Sequence, residues 1–116
     1  MAIYKELVAS TRKLVSEIDK AGLSDDLVLI DIREPYEFEK GAIPNSINIP
    51  RGRLEFDIEE HPSLKEKFKS TEDLLQANLV LYCKSDGRSV LAAKALNEIG
   101  FTKVCSLLGG YDNWIK

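Results

Sequence analysis

The chain has 116 residues, 44% apolar and 30% charged, with a net charge of −3. That length suits one domain, residues 1–116, with an unassisted core, and the interspersed charges offer no basic face for nucleic acid. No apolar run approaches the ~20 residues of a membrane span, and residues 1–6 lack the regions of a secretory signal, so a cytoplasmic location is expected.

In chain order, residues 4–20 read as a helix with Leu7, Leu14 and Ile18 on one face and Val8 and Val15 beside them, stopped by Gly22. That face needs cover, and packing on its own domain, as a monomer, is the simpler expectation. Residues 27–32 form a near-continuous apolar run, as in a strand buried on both faces. Pro35 starts a short helix carrying Tyr36 and Phe38. Residues 41–45 make a turn and 46–49 a short strand. The charged stretch 51–76 is expected to hold one or two short helices. Residues 79–83 are the next strand. Residues 88–99 form a helix with Ala92, Ala95, Leu96 and Ile99 as its buried stripe. Residues 104–108 are a last strand, followed by Gly109-Gly110 and a short helix with Tyr111 and Trp114. Strands alternating with helices predict an α/β domain with a mostly parallel sheet. Ligands in such sheets bind beyond the carboxyl ends of strands, where Asp31 and Cys83 both lie.

The segment Cys83-Lys84-Ser85-Asp86-Gly87-Arg88-Ser89 carries the chemistry. It sets a thiol at a strand end, ahead of a helix N-terminus, with two cationic side chains close in sequence. All three features favour a thiolate, the nucleophilic form of cysteine. Gly87 lets successive backbone N–H groups converge on one anion. Asp86 opposes this unless it points outward or pairs with Lys84 or Arg88. A thiol sealed in the interior would remove the reading. Two isolated cysteines and one histidine give no zinc spacing, so no zinc site is expected.

Three further segments surround this loop: Asp31-Ile32-Arg33-Glu34-Pro35-Tyr36-Glu37-Phe38, then Gly41-Ala42-Ile43-Pro44-Asn45-Ser46-Ile47-Asn48-Ile49-Pro50, then Leu108-Gly109-Gly110-Tyr111-Asp112-Asn113-Trp114. Together, over residues 25–116, they resemble the rhodanese (sulfurtransferase) family. The resemblance implies a five-stranded parallel sheet flanked by helices on both faces. It also implies a Cys83 that takes sulfane sulfur from thiosulfate or a persulfide donor and passes it to a thiol or cyanide. Loop N–H groups from Lys84 to Arg88 would then stabilise the persulfide, and Lys84 and Arg88 would hold the anionic donor, with Asp31, Arg33 and Ser89 in support. A sulfur-relay protein is a further implied partner, and the resemblance implies no metal or organic cofactor. The sequence departs from the family pattern at Ala42, where relatives carry histidine, and at Asp86, where many carry glycine.

Plainer readings stand beside these. Asp31 and Arg33 suit a structural ion pair, Gly109-Gly110 a tight turn, His61 a solvated loop, and Cys105 the core. Two other functions stay open. One is a sulfur-carrier or protein-docking module without catalysis. The other is a cysteine-dependent phosphatase, although four residues separate Cys83 from Arg88 where that chemistry uses five.

Overall fold

The computed structural model describes residues 2–116. Helix α1 (Ile3–Arg12) leads into strand β1 (Ser16–Ile18). Strand β2 (Val28–Asp31), helix α2 (Pro35–Lys40) and strand β3 (Ile47–Asn48) follow. Three short helices, α3 (Leu54–Asp57), α4 (Pro62–Lys67) and α5 (Thr71–Leu75), fill the charged stretch. The chain then runs through β4 (Leu79–Tyr82), α6 (Gly87–Glu98), β5 (Val104–Leu107) and α7 (Gly110–Trp114). The five strands are all parallel, in the order β1-β5-β4-β2-β3. This is the expected α/β architecture.

Alternation along the strands divides the interior into two layers. Ile30, Leu79, Leu81, Cys83 and Val104 pack with Leu54, Leu64, Leu74, Ala92, Ala93 and Leu96 from α3 to α6. On the other face, Val80, Tyr82 and Leu107 pack with Ile43, Tyr111 and Trp114. Pro35 opens α2 at its first turn, and Glu34 and Glu37 form a reciprocal capping box there.

The N-terminal region differs from its expected form. Residues 4–20 are not one helix: α1 ends at Arg12 and residues 16–18 are the edge strand β1. Ser16, Glu17 and Ile18 pair in register with Cys105, Ser106 and Leu107. Such a ladder satisfies backbone groups that a helix would have satisfied locally, so a non-local pairing overrides the helical spacing. Val8 and Thr11 are buried, whereas Leu7 (50% exposed) and Leu14 (65% exposed) stay in solvent, uncovered. On α6 the buried set is Gly87, Ser89, Val90, Ala92, Ala93 and Leu96, so the expected stripe holds at Ala92 and Leu96 only: Ala95 is half-buried and Ile99 exposed. Cys105 is half-buried on the Leu107 face of the sheet, the layer opposite Cys83.

Candidate active site

Cys83 follows β4 directly, and α6 opens four residues later at Gly87. The carbonyls of this loop are tied down by α7. Tyr111 N–H donates to the Cys83 carbonyl and Asp112 N–H to the Lys84 carbonyl, both at 2.9 Å. That approach requires glycine at 110. Its φ is +58°, and an added Cβ would lie 2.6 Å from the Cys83 carbonyl oxygen and collide with that of Ser85. Gly109-Gly110 is thus a turn that docks one helix onto the loop.

The thiol lies at the floor of this arrangement. Cys83 is 1% exposed, and its Sγ donates to Ser89 Oγ at 3.6 Å. Ser89, in the first turn of α6, also donates to the Asp86 carbonyl at 3.0 Å and meets Ser106 Oγ at 2.7 Å. Ser106, on β5, is a site neighbour that sequence reasoning missed. A lone serine in an apolar strand carries no signal of what its hydroxyl meets.

The charges around the loop pair off. Lys84 Nζ lies 3.0 Å from Asp112 Oδ2, both exposed. Arg88 Nη1 lies 3.5 Å from Glu37 Oε1. Burial works to raise the Glu37 carboxyl, but the Glu34 N–H and the Arg88 guanidinium outweigh it and hold the group below its ordinary value. Asp86 pairs with neither expected partner. Its Oδ1 lies 3.1 Å from Arg12 Nη2 and its Oδ2 accepts from Gly109 N–H at 3.2 Å. Arg12 also bonds Glu17. The Asp86 hydrogen bond, with Glu17 adding, raises the Arg12 guanidinium above its ordinary value despite partial burial.

Helix α1 forms one wall of a groove of about 350 Å³ whose other wall is the loop, with Tyr4, Val8, Arg12, Ser85, Asp86 and Gly87 among its lining. Any side chain at Gly87 would strike the Tyr4 hydroxyl.

Asp31 and Arg33 sit apart from the thiol, on the other layer. Asp31 is fully buried and Arg33 is 5% exposed. Arg33 Nη2 reaches Asp31 Oδ2 at 2.7 Å and the Gly41 carbonyl at 2.7 Å. Its guanidinium also stacks 4.3 Å from the Tyr111 ring centroid. The pair therefore braces the turn after α2 and, through Tyr111, the helix that holds the loop. His61, expected in a solvated loop, caps α4 by accepting from Ser63 N–H at 3.2 Å.

Comparison with known proteins gives the family and the fold. The rhodanese-like domain family matches residues 11–116. A sulfurtransferase of Allochromatium vinosum is 30% identical over 109 residues, covering 89% of this chain and 91% of its own. Thiosulfate sulfurtransferase 16, chloroplastic, of Arabidopsis thaliana is 34% identical over 88 residues, covering 75% and 72%. The chain spans 62% of a Schizosaccharomyces pombe relative that is 36% identical over 91 residues. Among solved structures, a Rhodopseudomonas palustris protein of unknown function, described as a "Possible Tyrosine Phosphatase", superposes with a TM-score of 0.76 at 31% identity. That match covers 97% of this chain and 88% of the other. With the family match spanning residues 11–116 and so all five strands of the parallel sheet, the chain belongs to the rhodanese-like domain family.

Proposed function

We propose that the protein is a sulfurtransferase in which Cys83 carries sulfane sulfur. The observation that carries this is the position of the Cys83 thiol, between the end of β4 and the first turn of α6 and against the Ser89 hydroxyl, in a chain of this family. In the first half-reaction the Cys83 thiolate attacks the outer sulfur of thiosulfate or a comparable donor. A new S–S bond forms, the old one breaks, and sulfite leaves with the bonding electron pair. In the second, an acceptor thiolate or cyanide attacks the terminal sulfur and returns the Cys83 thiolate. This is covalent catalysis in two steps, with ping-pong kinetics expected. N–H groups from Lys84 to Arg88 stabilise the bound sulfur anion. Lys84 and Arg88 attract the donor once they exchange Asp112 and Glu37 for it. Asp31 and Arg33 support the loop from the far side of the sheet. A sulfur-relay protein is an alternative donor or acceptor. A thiol that must return to its reduced form suits a reducing compartment such as the cytoplasm.

One observation runs against the expected open thiol and favours a second reading, a docking module without catalysis. Cys83 is 1% exposed, the sealed position that counts against a nucleophile, and transfer stands only if the loop opens to admit the donor. Intact mass after exposure to thiosulfate separates the two. A gain of one sulfur atom, removable by reductant and absent in Cys83→Ser, supports the transferase. No gain with thiosulfate or an organic persulfide leaves the docking module.

A further inference from the structure

Ser106 is fully buried on β5, in register with Leu81, and its hydroxyl meets only Ser89 among the described residues. Val104, which shares its face of the strand, is packed among apolar side chains. A hydroxyl in such a layer is costly unless it is bonded, so what Ser106 bonds to is informative.

The direction of its bond follows from counting protons. A serine hydroxyl has one proton and two lone pairs. Ser89 gives its proton to the Asp86 carbonyl at 3.0 Å. Its two other contacts must therefore be accepted: the Cys83 S–H at 3.6 Å and the Ser106 O–H at 2.7 Å.

We propose that Ser106 is a positioning residue that acts on Cys83 through Ser89, keeping the Ser89 proton available to the sulfur anion that Cys83 carries during transfer. This rests on the sulfurtransferase reading above. When the Cys83 thiol gives its proton to solvent, the sulfur stops donating and becomes an acceptor. The Ser89 proton then turns from the Asp86 carbonyl to Sγ. That turn leaves no orphan, because the Asp86 carbonyl still accepts from Val90 N–H at 3.0 Å. Ser106 donates to Ser89 in both states. A hydroxyl that is itself receiving a hydrogen bond is a stronger donor, so the Ser106 bond strengthens the donation of Ser89 to Sγ.

The test is the single-turnover rate of sulfur loading from thiosulfate, followed by intact mass at pH 6 to 10, in wild type, Ser106→Ala and Ser106→Thr. Loss of one neutral hydrogen bond predicts loading about three- to tenfold slower near pH 7 in Ser106→Ala. The rate should recover at higher pH, so the midpoint of the profile moves up, while the thiosulfate concentration for half-maximal rate stays unchanged. Ser106→Thr, which keeps the hydroxyl, restores the wild-type profile. Ser106→Cys, a weaker donor of similar size, gives an intermediate one and serves where the alanine variant fails to fold. Equal profiles in wild type and the alanine or cysteine variant would overturn the inference alone. A uniform slowing at every pH that threonine does not repair would overturn it as well. A wild type that loads no sulfur would remove the transferase reading first, and this one with it.

Discussion

Arg12 Nη2 lies 3.1 Å from Asp86 Oδ1, joining the last turn of α1 to the loop that follows Cys83 across 74 positions of sequence. Asp86 lies in the loop between Cys83 and α6, and its carboxylate adds negative charge beside a proposed anion site. Arg12 compensates that charge locally. Both side chains are partly exposed, 34% and 26%, so the pair itself is worth only ~1 kcal/mol after screening. Arg12→Gln should raise the KM for thiosulfate about fivefold, since ~1 kcal/mol corresponds to that factor. In an Asp86→Gly background the same change should have little effect. A double-mutant cycle of KM values measures this coupling, and additive effects would show that Arg12 acts elsewhere.

Arg33→Ala should be among the most destabilising single changes. It strands the Asp31 carboxylate, fully buried, and removes the bond to the Gly41 carbonyl. Breaking one side of a buried pair costs ~3–5 kcal/mol. Urea denaturation should show a large drop in midpoint. Asp31→Asn/Arg33→Met, which removes both charges, should recover much of it.

Tyr82 predicts an alkaline limit. It is fully buried, with Ile43 N–H 3.1 Å from its hydroxyl and Ser46 Oγ at 2.9 Å. Burial, only partly offset by those two bonds, pushes the phenol up to about 12. An unfolded tyrosine ionises near ~10. The stabilisation is thus complete below pH ~10, where both states hold the proton, and is lost as pH rises through about 12. Two pKa units correspond to on the order of 2–3 kcal/mol. Wild-type stability should therefore fall between pH 10 and 12 more steeply than that of Tyr82→Phe, measured by urea titration at each pH.

Cys105 should be dispensable for sulfur transfer. It lies on the sheet face opposite Cys83, and burial raises its thiol above the ordinary cysteine value, away from the reactive form. Cys105→Ser should load sulfur at the wild-type rate, and the wild type should form no Cys83–Cys105 disulfide on turnover, as read by mass under non-reducing conditions.

What could be read from the sequence follows from the range of the interactions involved. The runs at 27–32 and 79–83 are short, apolar and bounded by turn residues, so β2 and β4 declared themselves, and with them the strand ends carrying Asp31 and Cys83. Strand β1 did not, because three residues pairing with β5 continue the apolar spacing of the helix before them. The loop was legible as a motif, but its electrostatics were not. Arg12, Glu37 and Asp112 reach Asp86, Arg88 and Lys84 from three separate elements. Nothing in the local pattern around Cys83 names those partners, nor Ser106 beneath Ser89.

The same dependence on distant contacts makes Gly110 the most informative position outside the loop. Its φ of +58° alone makes alanine unfavourable, and the alanine Cβ would press on the carbonyls of Cys83 and Ser85. To relieve that contact, α7 must withdraw, and its N–H groups would release the Cys83 and Lys84 carbonyls they now hold. Left-handed strain and two weakened hydrogen bonds together predict a loss of ~2–4 kcal/mol. Gly110→Ala should remain folded at low temperature while losing most of its sulfur loading, because the loop no longer has a fixed shape. Circular dichroism alongside intact mass checks this. A variant with wild-type loading would show that α7 does not set the geometry of the loop.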